Sequence, residues 1–547
     1  MPRTNHRILI ASLLLAAGTI AGCNRPHLYE GFGNYQRLAT TDSAAAQTYF
    51  NQGMQLLYGF NHDEAIRSFQ RAASIDRDLA IAWWGIGYAR GLHINNPAMS
   101  AEQSQLAYEA TQEALRRIDS ASLVEAALIR ALAARYAMPV PEDRSHLDEA
   151  YAEAMGRVWE AFPNDPDVGA LYAESLMNLQ PWDLWTKSGE PKGRTLEIVA
   201  VLERVMELDP HHPGANHFYI HTVEASNDPG RAEAAADRLR TLVPGSGHLV
   251  HMPAHIYARI GRWADASDTN VDAIAADRAY FAKAPKPDFY ALYFIHNIHF
   301  LAWSAMMEGR YETAMAAARE LERDIPREFL RNWTFIADGF MPVTYHTMIR
   351  FGKWSDILSE PKPDDWRHIS LASWHYARGV ALAATDHTVE ARSELEAFER
   401  EAARIPKDWV VGNSAASDVM AVARHMLRGE LAFREARLDE AFDLLREGAR
   451  LEDGLNYDEP PDWMQPVRHA LGALLLAAGR PAEAEVVYRE DLAKYPNNGW
   501  ALLGLSQALD ALDRPVEASL VEQDLTIAWA RADVEPVASC YCHPDAP

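Results

Sequence analysis

Residues 46–76 read AQTYFNQGMQLLYGFNHDEAIRSFQRAASID. Within them Tyr49, Gly53, Leu56, Ala65, Phe69 and Ala72 alternate large and small side chains at helical steps. The pattern predicts two antiparallel helices that approach closely at Gly53 and Ala65, with Tyr49 and Phe69 filling the groove between them. Trp83 and Gly87 repeat the phase of Tyr49 and Gly53, so a second unit opens one period later. The small-to-small spacing between Gly53 and Ala65 returns at Gly379/Ala391, Gly429/Ala441 and Gly472/Ala484, and in weaker form at Ala254/Ala266 and Ala302/Ala314. Pro326, Pro496 and Asp209-Pro210 close repeats.

These positions resemble the tetratricopeptide repeat family over nearly the whole chain, most strongly at 44–90 and 425–530. The resemblance implies an all-α solenoid, a right-handed superhelix of about ten to twelve antiparallel helix pairs. It also implies a concave groove, lined by positions two, five, nine and twelve of each first helix, that takes a peptide, protein or small-molecule ligand. The repeats divide into N-terminal (44–138), central (146–360) and C-terminal (361–532) blocks, followed by a tail at 533–547. No strand-rich domain is expected, because the Val and Ile runs lie within helical periodicity. Three segments break the rhythm: 139–145, the Trp-bearing QPWDLWTKSGEPKG at 180–193, and 279–290, which stretches one repeat well beyond the family's period.

Histidines carry the functional signal. His217/His221 and His251/His255 are two i, i+4 pairs, each on one helical face, and they stand one full repeat period apart. His296 and His299 follow on the next repeat. In the family's phasing His217, His251 and His299 take position five, His221, His255 and His346 position nine, His248 and His296 position two, and Glu224 position twelve. The resemblance therefore implies a strip of imidazoles with one carboxylate along the groove. Neutral imidazole is a common ligand for zinc, copper and iron, and side chains on neighbouring helices can converge on one ion. His217, His221, Glu224, His251 and His255 are the candidate ligands, with His248, His296 and His299 completing or flanking the set. Tyr219, Tyr257, Asp288 and Asn297 are candidates to orient them. Trp182 and Trp185 are expected to touch a ligand or fold back onto the groove, which Trp303 and His346 extend. Scattered His93, His375, His425 and His469 read as structural. Pro253 either stands in the first turn of a helix or kinks one.

Composition narrows the remaining functions. With 52 basic against 77 acidic residues the formal charge is −25, which argues against a nucleic-acid partner. The N-terminus joins basic Arg3 and Arg7 to a short apolar run, Ile8 to Ala17, and then Ile20-Ala21-Gly22-Cys23, which resembles a bacterial lipobox. A signal peptide at 1–22, lipidation of Cys23 and a tether at 23–43 are expected, placing an outer-membrane lipoprotein in the cell envelope, facing the periplasm or exported. Cys540 and Cys542 pair with each other or join His543 as soft metal ligands. There is no His-Glu-x-x-His, phosphate loop or dinucleotide fingerprint. The leading expectation is an envelope protein with a His-rich transition-metal or ligand site. The alternatives are a metal-dependent enzyme using Glu224 as general base, and a scaffold for protein–protein contacts without metal.

Overall fold

The first repeat forms as its sequence dictates. Ser43 caps the helix Ala44–Tyr58 and Asn61 caps the helix His62–Ile75, each side chain accepting a free first-turn N–H. Phe69 is fully buried between Gly53 of the first helix and Gly85 of the next repeat. A Cβ on either glycine would lie 2.5–2.8 Å from the ring, so only hydrogen lets the helices close on it. The same sandwich recurs near the other end, where Tyr488 lies between Gly472 and Gly504. The computed structural model describes residues 27–284 and 289–544, and among them the chain is a succession of packed helix pairs. Their only strands are the two-residue Val410–Val411 and Ser414–Ala415. This is an all-α solenoid of the tetratricopeptide type. Two apolar cores meet near Tyr345–Phe351, with no break at 139–145. No described helix is long and apolar enough to cross a membrane.

Both ends turn inward. Residues 27–43, expected as a tether, instead run along the protein as a strap, with Gly245 N–H bonding Gly31 O at 2.8 Å. Arg37 is 7% exposed and pairs with Asp167 at 2.8 Å and Asp165 at 2.9 Å. Asp167 also accepts hydrogen bonds from Tyr35, from Tyr58 at 2.6 Å and from His212 at 3.1 Å. Burial opposes ionisation of Asp167, but the adjacent Arg37 guanidinium and His212 hold its carboxyl well below the usual range. This buried charge ties the first repeat to the helix Pro213–Val223, which His212 caps and Pro213 begins.

The C-terminal repeats close the other side. Trp500 Nε1 donates to Met306 O at 2.8 Å, Trp263 Nε1 to Pro496 O at 2.9 Å, and Arg531 pairs with Asp268 at 2.8 Å. The tail docks as well. Ser539 is fully buried and bonds Tyr488 OH at 2.6 Å, and Cys540 and Cys542 form a disulfide. The cysteines are thus paired with each other rather than held as free thiols for a metal.

Candidate metal centre

The first helices of successive repeats bring the histidines together. At position two of the first of these, Gly214 leaves room for the Tyr58 ring, which would stand 2.4 Å from a Cβ there. The Tyr58 carbonyl thereby reaches His217 Nδ1 at 2.6 Å. The next helix starts at Gly247, is interrupted where Pro253 lacks its N–H, and resumes as Pro253–Arg259. His248 and His251 are therefore helical, on the turn before the break, and His255 follows just after it. His296 and His299 stand on the helix Ala291–Met307.

Two sets of three imidazoles result. In each set, His217/His221/His248 and His251/His255/His296, one ligand atom per residue lies within 4.8 Å of the others. His217, His248 and His251 are at most 2% exposed, and His221 and His255 at most 5%. Four rings have Nδ1 facing oxygen. His217 meets Tyr58 O, and His251 meets Asn270 Oδ1 at 2.7 Å, while the Asn270 amide donates to Ala266 O. His221 and His255 meet the two oxygens of Glu224, at 2.9 and 2.6 Å. For His217, His221 and His251 these acceptors place the proton on Nδ1 and leave Nε2 with a lone pair, the usual arrangement of a metal-binding histidine, whereas the His255–Glu224 approach is an ion pair not aligned as a hydrogen bond.

The Nε2 atoms turn inward. His217 Nε2 and His248 Nε2 are 3.1 Å apart, and His251 Nε2 and His255 Nε2 are 2.8 Å apart. Two lone pairs hold the latter separation only with a positive centre, a proton or a metal, between them. Zinc–nitrogen bonds of about 2.0–2.1 Å span about 3.3 Å between two nitrogens of a tetrahedral ion, close to both values. His221 Nε2 is buried without a hydrogen-bond partner, an arrangement that costs about 1–3 kcal/mol if left unfilled. The residues therefore fit a transition metal.

Electrostatics keep five of the six triad rings neutral. Burial, with the neighbouring imidazoles behind it, holds His217, His248, His251 and His296 well below the ordinary histidine range. Burial also lowers His221, against the pull of Glu224. At His255 burial works downward but the Glu224 carboxylate outweighs it and raises the ring. Burial would raise Glu224, yet His255 and His221 bring it down to about 2. Glu224 is fully buried and both its oxygens face imidazole nitrogens. Its oxygens thus lie against two rings from successive helices, His221 and His255.

Other sequence candidates separate by place. Trp182 lies edge-on to His221, ring centroids 5.4 Å apart, and Trp185 Nε1 donates to Thr222 O at 2.6 Å, so the 180–193 loop does fold back on the histidine helix. His299 packs against Phe340 and His346 against Trp463, and neither belongs to a triad. Tyr219 bonds Glu203, Tyr257 bonds Asp237, and Asn297 bonds Asp277, so none orients an imidazole. Trp303 packs against Trp263 in the core. Asp288, Cys23 and the signal segment lie outside the described residues.

The sequence reading missed the orienting groups Asn270 and the Tyr58 carbonyl. It also missed Phe60, stacked on His93 at 4.2 Å and His248 at 5.6 Å, and the His62/His93 pair, 4.4 Å apart. Asn270 lies 19 residues from His251, one helix on, and its phase could have marked it. No local signal identifies a main-chain carbonyl 159 residues from the histidine it meets.

Residues 475–525 match the tetratricopeptide repeat family. No curated protein matches the chain. The human IFIT1 dimer with m7Gppp-AAAA is similar at 13% identity over 89% of this chain and 91% of that one, with a TM-score of 0.33. Yeast Tom70 is similar at 11% identity over 88% of this chain and 90% of that one, with a TM-score of 0.29. Stacked helix pairs form extended binding surfaces, so the architecture itself supports a binding role.

Proposed function

We propose that this protein is a tetratricopeptide-type binding protein of the cell envelope whose central repeats hold a transition metal, zinc, copper or iron, through neutral imidazoles. The observation that carries this is the orientation of three rings, His217, His221 and His251, each with Nδ1 hydrogen-bonded to an oxygen and Nε2 left free, beside His255, whose Nδ1 lies 2.6 Å from Glu224. The lipobox-like Ile20-Ala21-Gly22-Cys23 supports a lipid anchor at Cys23, which would hold the protein at the outer membrane facing the periplasm.

Elemental analysis of protein purified without a histidine tag tests the metal. Bound zinc, copper or iron is expected in the isolated chain, and His221→Ala with His255→Ala removes it while leaving helical circular dichroism intact. A wild-type protein with no micromolar affinity for any of the three overturns the assignment. Incorporation of labelled palmitate, lost in Cys23→Ala, tests the anchor.

One observation also favours metal-dependent catalysis. A cavity of about 240 Å³ is lined in part by Phe60, His62, Arg90, His93 and Trp333, and the same Phe60 ring packs against His217 and His248. Its volume is enough to admit a small ligand or a peptide end. A ligand that perturbs the spectrum of bound Co²⁺, and loses that effect in Phe60→Trp, would support it.

A further inference from the structure

The two triads are one site built twice. The first takes positions five and nine of one helix, His217 and His221, and position two of the next, His248. The second takes His251 and His255, displaced by one repeat period, and His296 from the following helix. His296 falls more than one period after His248 because the 279–290 insertion precedes its helix. The series stops on both sides. Gly214 occupies position two before the first triad; after the second, Trp303 takes position nine and Gly339 position two. Glu224 has no counterpart, since Ala258 stands at its position in the next repeat, and it serves both triads through its two oxygens.

We infer that the histidine nest holds two metal ions, one in each triad, with Glu224 as the shared anion behind them. The inference rests on the metal assignment above and goes beyond a single ion shared by the two helices. Each triad has one anchor of its own, Tyr58 O for His217 and Asn270 for His251, beside the shared Glu224. Each also has its own close Nε2 pair, at 3.1 and 2.8 Å. Three imidazoles leave each ion an open position, as three-ligand zinc and copper sites do. The two dications would share one buried carboxylate, Glu224, whose oxygens lie 2.9 Å from His221 and 2.6 Å from His255. All-imidazole sets suit zinc and copper better than magnesium, calcium or manganese.

Titration of the tag-free, metal-stripped full chain with Co²⁺, followed by its visible absorption, reads the stoichiometry. Two equivalents are expected for the wild type. His217→Gln with His248→Gln, and separately His251→Gln with His296→Gln, should each retain one. With Cu²⁺, the wild type should show a spin-coupled resonance that both double variants lose. One equivalent in the wild type, abolished by either pair of substitutions, overturns the two-ion inference but leaves the metal assignment standing. No binding by the wild type overturns both. The wild-type stoichiometry decides the matter even where a variant fails to fold.

Discussion

Glu224 shows how far a side chain's contacts can reach beyond its own helix. A carboxylate three residues after His221, on a helix bearing two histidines, looks like a third ligand. In the folded protein its oxygens are 2.9 and 2.6 Å from His221 Nδ1 and His255 Nδ1, and so it orients ligands from two helices. Replacing an orienting partner typically costs about 10–100-fold in metal affinity. Glu224→Gln presents an amide N–H to one of the two ring N–H groups, so titration calorimetry should find Zn²⁺ binding weakened by about 10–100-fold. Unchanged affinity would show that the rings hold their orientation without the carboxylate.

At the level of elements, the glycine–aromatic–glycine sandwich sets how closely repeats join. A Cβ at Gly472 would stand 2.4 Å from the Tyr488 ring, and one at Gly504 2.1 Å. Tyr488 cannot retreat, since it is fully buried and its hydroxyl bonds Ser539 at 2.6 Å. Gly472→Ala therefore overpacks the joint between two repeats and should destabilise the protein by about 1–3 kcal/mol in urea denaturation. A far smaller effect would mean that the helices can separate at little cost. The helix bearing His248, His251 and His255 shows a second kind of fitting. The interruption at Pro253 falls between His251 and His255, whose Nε2 atoms stand 2.8 Å apart, and sequence alone allowed either a start or a kink there.

Over the whole molecule the ends decide the environment. The first repeat and the C-terminal repeats both pack onto the central ones, so a strip expected along an open groove is enclosed. The same closure buries the 457–462 segment. Burial pushes Glu459 up to about 8, against the pull of Arg259. A carboxyl raised in the folded state favours folding fully below its ordinary value of 4.5, and that contribution is lost as pH rises through about 8. The contribution of Glu459 to the stability of the metal-free protein should therefore fall, on the order of a few kcal/mol, between about pH 5 and pH 8.5, opposite in sign to that of the buried histidines with lowered values. Glu459→Gln should remove that fall from the slope of urea midpoints measured across the range. An unchanged slope would show that Glu459 ionises without penalty.

The division between sequence and tertiary structure follows from range. Helix pairing, the close approaches at Gly53/Ala65 with Phe69 between them and at Gly472/Ala484, and the phase that puts His217, His221, His251 and His255 on one side were all legible. Each depends on side-chain size and on the helical period within one or two repeats. Which histidines converge into one set was not legible. Equal phase suggested that the two i, i+4 pairs converge, whereas each pair meets the position-two histidine of the next helix, which depends on how far successive repeats rotate. Nor could sequence show that Tyr58, Asn270 and Glu224 fix the rings, or that the strap and tail dock instead of trailing. Those outcomes rest on contacts between residues as far apart as Tyr58 and His217, or Trp263 and Pro496, and only closure of the solenoid brings such partners together.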